Sequence, residues 1–222
     1  MVVIPTASIV PETGGAVKQR ARHIRRINEI VGEFKLPPEI KGSEPYTYFQ
    51  LFDSILENGD FLLCPSAMIR SDLYKKLSPF RYPQFGSASD LDLWLRAAKC
   101  APVVIINEKL MNYRISKSQG TNVLNRARTH EADFFRVTDF HKNKNKHHTL
   151  SSDTIGKYEL HRMEDQIFCA LNFLKKHDFL DFRQHVRNME WGKFTRLILL
   201  KPRISVPLLI RGFCKLLNNI RQ

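Results

Sequence analysis

Two carboxylates one residue apart, Asp90 and Asp92, lie in the segment Gly86-Ser-Ala-Ser-Asp-Leu-Asp-Leu-Trp-Leu-Arg-Ala-Ala-Lys99. Glycine and small residues lead into Ser89, and from there Leu91, Trp94, Leu95 and Ala98 recur at helical spacing. The segment therefore predicts a loop that opens into an amphipathic helix, with both acids in its first turn. A carboxylate presented to a cleft in this way suits general-base chemistry on a hydroxyl, where proton removal in the transition state is typically worth about 10²–10⁴-fold in rate. The same residues also fit an architectural reading. Ser89 followed by Asp92 has the form of a capping box, and first-turn acids are stabilised by the helix dipole by about 0.3–1 kcal/mol.

The elements that must position these acids are legible on both sides. Downstream, residues 102–106 predict a short buried strand and 110–115 a second extended piece, with Asn107-Glu-Lys109 as the turn between them. Upstream, 2–4 and 7–10 predict extended pieces, and Pro11-Glu-Thr-Gly-Gly15 a turn. Residues 15–34 predict a basic helix with Ile24, Ile27, Ile30, Val31 and Phe34 on one stripe. Its cationic face reads either as solvated surface or as a phosphate contact. Residues 36–45 predict a loop, 46–56 a helix stopped by Asn58-Gly59, 60–68 a strand, and 69–77 a helix capped by Ser71. Residues 80–85 predict an aromatic loop, and Trp94, on the apolar stripe, is expected in the core.

The order Leu62-Leu-Cys-Pro-Ser-Ala-Met-Ile-Arg70, then the aromatic loop, then Ser89-Asp-Leu-Asp-Leu-Trp94, then Tyr113-Arg114, resembles the C-terminal half of the catalytic domain of family 2 glycosyltransferases. These are inverting enzymes with a GT-A fold. The resemblance covers roughly the middle third of the chain. It implies an α/β class: a partial, Rossmann-like GT-A domain over residues 1–122, followed by an α-helical extension over 123–222. It places Asp90 at the catalytic base, Ser66 and Arg70 beside the acceptor or diphosphate, Asp92 in the substrate site, and Arg114 near a phosphate, an anion that guanidinium groups pair with well. Without the resemblance, Ser66 reads as a turn serine and Arg70 as a surface arginine. The aromatic loop would border the acceptor, because sugar rings pack on aromatic faces. Two positions depart from the family: Ser89 stands where many members have Glu, and Ser116 where a His commonly follows Tyr-Arg.

The family's nucleoside-binding loop has no counterpart here, nor does the D-x-D that grips the diphosphate and a divalent metal (Mg or Mn); the first D-x-D of the sequence is Asp90-Leu-Asp92 itself. The expectation is the acceptor-side half of an enzyme that moves a sugar from a nucleotide-sugar to a polysaccharide or lipid-linked acceptor, working as part of a longer chain. The alternative is a non-catalytic remnant or binding module that lacks the donor site.

Composition sets the outer bounds. The chain of 222 residues, 43% hydrophobic and 10% aromatic, has the material for a packed core rather than wholesale disorder. A net charge of +13 calls for an anionic partner, such as a nucleotide diphosphate, a lipid-phosphate acceptor, an anionic membrane or a nucleic acid. No nucleic-acid motif is present, so nucleic acid is not expected. Cys64, Cys100, Cys169 and Cys214 are too scattered for zinc or a disulfide framework, which fits reduced thiols and a cytoplasmic setting. Helices are predicted over 125–141, 153–177 and 179–191, with a basic linker at 142–148. The adjacent His147 and His148 would point apart and make no metal site. The stretch 194–220 mixes apolar residues with Arg196, Lys201, Arg203, Arg211 and Lys215, a pattern that fits either the inner face of an anionic membrane or packing on the catalytic domain.

Overall fold

The computed structural model describes residues 2–11, 32–33, 36–40, 44–115, 127–190 and 192–193. These form a mixed α/β fold: a small sheet with helices packed against it. Strand β1 (Val2–Pro11) runs parallel to a long strand β5 (Val103–Ile115), from Val2 opposite Val103 to Pro11 opposite Ile115. Three short strands complete the sheet. Strand β2 (Gly32–Glu33) pairs with β1 along one edge, β3 (Pro45–Tyr46) pairs with β5 along the other, and β4 (Met68–Ile69) meets the start of β1; all three are antiparallel to their partners.

The two extended pieces expected around Asn107-Glu-Lys109 are one strand. Ile106 faces Pro5 and Lys109 faces Thr6, so the polar residues between them are absorbed as an irregularity in the ladder rather than a turn. The strand expected over 60–68 is mostly a loop that closes in a single 3₁₀ turn at Cys64–Ser66, leaving only the two residues of β4 extended. Pro65 explains this, since it cannot donate to a ladder and favours the start of a turn.

Seven helices lie among the described residues: α1 (Tyr48–Asn58), α2 (Ser71–Lys76), α3 (Tyr82–Phe85), α4 (Ser89–Cys100), α5 (Asp133–Lys144), α6 (Ser152–Lys175) and α7 (Phe179–Arg187). Helix α1 starts in a capping box: the Gln50 N–H donates to Thr47 Oγ1 and the Thr47 N–H to Gln50 Oε1. It stops at Gly59, whose φ of +79° ends the helix with an N–H to the Ile55 carbonyl. Helix α2 follows Arg70 and has no side-chain cap, so Ser71 is its first residue and not the cap expected. The aromatic loop contains the single turn α3. The helix expected from 125 begins at Asp133, leaving Arg128 to Ala132 non-helical.

Leu51, Phe52, Ile55 and Leu56 of α1, Leu91, Trp94 and Leu95 of α4, and Val103 and Ile105 of β5 make one buried cluster. Phe135, Val137 and Tyr158 belong to the same cluster, so helices after residue 123 share this core. Trp94 is buried there as expected. The turn at 11–15, most of the basic helix expected over 15–34, the polar loop 116–121 and the stretch 194–222 fall outside the described residues.

Candidate active site

Helix α4 sets the two acids on different sides of itself. Asp92 is fully buried, and its carboxylate is enclosed by three donors. Arg81 binds it with Nε to Oδ2 at 2.8 Å and with Nη2 to Oδ1. Arg96, one helical turn on, places Nε 2.9 Å from Oδ2, and His141 Nε2 lies 3.0 Å from Oδ1. Burial alone would raise the Asp92 pKa, but the bonds from His141, Arg81 and Arg96 outweigh it and bring it to about 2. Behind His141 the network continues: Tyr48 Oη is 3.1 Å from Nδ1, and Asn145 Nδ2 donates to that hydroxyl at 2.9 Å. Every member is satisfied when His141 is neutral with its proton on Nε2. Burial lowers its pKa more than Asp92 raises it, which favours that form. The capping-box reading of Ser89 with Asp92 fails for the same reason: Asp92 is spent on the cations, and Ala88, which precedes the helix, makes no side-chain cap.

Asp90 faces the other way. It is half-buried, and Oδ1 accepts the Leu91 N–H at 2.9 Å. Among the described residues, no ion pair holds it. Burial raises its pKa, partly offset by the backbone N–H groups and by Cys64. Around it stand Asp60 and Cys64. The Asp60 pKa is pushed up to about 7 by desolvation, against the Leu62 N–H bond to Oδ1 at 3.0 Å and with a further push from the Asp90 charge. The Cys64 thiol is pushed up to about 11, by burial first, then by repulsion from the Asp90 charge, with Asp60 adding to it.

The loop that delivers Asp90 is held from the helical half of the chain. Gly86 has φ +51°, a conformation side chains disfavour, and the Asp133 carboxylate closes on the place where a Cβ would stand. Asp133 Oδ2 accepts both the Ser87 N–H at 2.9 Å and the Ser87 hydroxyl at 2.8 Å. Residues 86–88 are thereby locked in a 3₁₀ turn that runs straight into α4.

Of the other residues singled out by sequence, Ser66 is buried and its hydroxyl donates to the Leu63 carbonyl at 2.7 Å, closing its own turn. Arg70 is exposed and paired at its side with Asp72 through two bonds of 2.7 Å. Arg114 lies in β5 opposite Val10, and its side chain falls outside what is described. The structure thus brings Asp90 to the 60–66 segment, turns Asp92 inward, and leaves Arg70 in a surface pair. Sequence reasoning missed Asp60, Cys64, Arg81, Arg96, Asp133 and His141 as neighbours of the acids. Only Arg96 carried a local signal, as a cation one turn after Asp92 on a helix.

For the divalent metal that the family resemblance implies, the described residues do not fit: they include no group of three His, Cys, Asp or Glu side chains that could hold one. No helix among them is long and apolar enough to cross a membrane. No protein family, curated protein or solved structure matches the chain significantly.

Proposed function

We propose that the chain is the acceptor-side part of an inverting glycosyltransferase of family 2 type with a GT-A fold, and that Asp90 is its general base. The observation that carries this reading is the division of labour between the two acids. Asp92 is consumed by Arg81, Arg96 and His141 inside the protein, whereas Asp90 sits half-exposed at the helix start with its proton affinity raised. A raised pKa on an accessible carboxylate suits a base that must take a proton from a sugar hydroxyl near neutral pH.

In this reading the acceptor hydroxyl attacks the anomeric carbon of a nucleotide-sugar. The new C–O bond forms on the face opposite the departing nucleoside diphosphate, the hydroxyl proton passes to an Asp90 oxygen, and the anomeric configuration inverts. Residues beyond these would hold the donor diphosphate, with Arg114 a candidate to assist it. Phe80 and Tyr82, both exposed on the segment before Asp90, offer faces on which a sugar ring can pack. The net charge of +13 favours anionic donors and lipid-linked acceptors at an anionic membrane surface. The test is to supply the native protein with nucleotide-sugars and glycan or lipid-linked acceptors and determine the product's anomer by NMR. A glycoside of inverted configuration is expected, and transfer with retention, or none with any donor, would contradict the proposal.

A further inference from the structure

We propose that the turn between α6 and α7 is a docking tip that seats the chain on an anionic lipid surface, with Phe179 and Leu180 entering the headgroup boundary between basic side chains. The proposal rests on the glycosyltransferase reading only for its purpose, which is to bring the chain to lipid-linked acceptors. Its evidence and its test are separate.

The tip is a fixed projection. Helix α6 ends in a Schellman turn: the His177 N–H donates to the Leu174 carbonyl at 3.2 Å and the Asp178 N–H to the Phe173 carbonyl at 3.1 Å. His177 takes φ +59° there, a left-handed backbone that a histidine holds only at a cost in strain. Asp178 then caps α7, its Oδ1 accepting the Asp181 N–H at 3.1 Å. Helix α7 folds back along α6: His185 Nε2 donates to the Gln166 carbonyl at 2.9 Å, and Met189, with Val186 against it, joins Leu160, Met163 and Ile167 in a second buried cluster. That inward face holds the hairpin together. Phe179 and Leu180, at its turn, are left 46% and 83% exposed. An apolar residue beside a Schellman turn commonly folds onto the helix it ends, whereas this adjacent pair stands in water on a fixed backbone.

Charge decides what covers it. Lys176 on the turn, and Arg183 and Arg187 one and two helical turns after Phe179, are exposed, and no ion pair among the described residues engages them. The acids of the tip are Asp178, which is spent on the cap, and Asp181. A second copy would bring the same cations to the contact, and so would the basic stretch 194–220; an anionic surface meets them with opposite charge. A projecting pair of side chains is also small for a stable protein interface, which takes about 800 Å² a side. A lipid surface asks only that apolar groups enter the boundary with cations held beside them.

The test is flotation of the full chain with vesicles of phosphatidylcholine alone and of phosphatidylcholine mixed with phosphatidylglycerol. Wild type is expected to float with the mixed vesicles at low salt and not with the neutral ones, and added salt should weaken binding by screening. Phe179→Ser/Leu180→Ser and Arg183→Gln/Arg187→Gln should each need about tenfold more lipid for half-binding, with melting curves close to wild type because the altered side chains are exposed. Ile155→Ser removes another exposed apolar side chain, about 30 Å from the tip along α6, and should bind as wild type. Wild type that floats with neither vesicle, or with both equally, would overturn the proposal. So would a tip variant that floats like wild type, or tip and Ile155 variants that weaken alike. Sedimentation equilibrium addresses the other occupant: a dimer that Leu180→Ser splits would assign the tip to a second copy and overturn the lipid contact. Vesicle binding without sugar transfer would leave the tip standing and remove the glycosyltransferase reading alone.

Discussion

At the scale of single residues, the two acids of one motif have opposite fates because of what surrounds them. Asp92 satisfies two guanidiniums and an imidazole with no solvent access, and removing one partner from such a buried ionic set costs about 3–5 kcal/mol because the remaining charges lose their counterpart. Asp92→Ala is therefore expected to unfold at markedly lower denaturant than wild type, measured by circular dichroism. Asp90→Asn, which breaks no ion pair among the described residues, should stay close to wild type. The Asp92 contribution also has a pH signature. Its folded pKa lies below the unfolded value of about 4, so its stabilisation is fully present above that value and is lost as pH falls from about 4 through 2. The acidic pair was legible in the sequence. Which acid was available was not, because Arg81 sits among aromatics with no periodic signal and His141 arrives from another helix.

At the scale of elements, the turn before α4 decides where Asp90 points. Gly86→Ala would place a Cβ against Asp133 and force a left-handed backbone on alanine, a strain of about 1–3 kcal/mol. The expected result is a Tm several degrees lower and, in an active protein, a loss of transfer out of proportion to that, since the Asp133 bonds to Ser87 would also loosen. A Gly86→Ala protein with wild-type Tm would show that the turn tolerates rearrangement. Helices were the most legible elements: α1, α4 and α6 lie within a few residues of where apolar spacing put them. The strands were less so. The stretch 103–115 reads as two pieces with a polar turn because its bulge carries Asn107 and Glu108, and a bulge and a turn share the same residue types. The basic stretch expected as a linker is half helix: Lys142 and Lys144 extend α5. Beyond it, His148 stacks on Phe49 at 4.2 Å and bonds Asp53 at 2.7 Å, long-range partners that no local pattern announces.

At the scale of the molecule, the sheet and the later helices act as one packed unit through the shared core and a polar seam. Thr154 Oγ1 and Lys157 Nζ bond the Glu57 carboxylate at 2.7 and 2.9 Å, and His161 donates to the Glu57 carbonyl at 2.7 Å. Stability should therefore report on both halves in one transition, and its pH dependence should carry the Asp60 signature. Asp60 has a raised folded pKa, so the folded state binds its proton more tightly than the unfolded chain does. Stability contributed here falls as pH rises from about 4 through 7 and stays reduced above that. Asp60 is exposed, and screening leaves only part of that effect. Asp60→Asn is expected to raise Tm at pH 8 more than at pH 5 in calorimetry; an equal shift at both would rule the account of Asp60 out.

The claim on which the functional reading depends is that Asp90 takes the acceptor proton. The most direct measurement is acceptor-dependent release of nucleoside diphosphate by native protein and by Asp90→Asn, with matched melting curves. A fall in kcat of about 10²–10⁴-fold with little change in KM is expected; turnover left intact in a folded Asp90→Asn protein would contradict it.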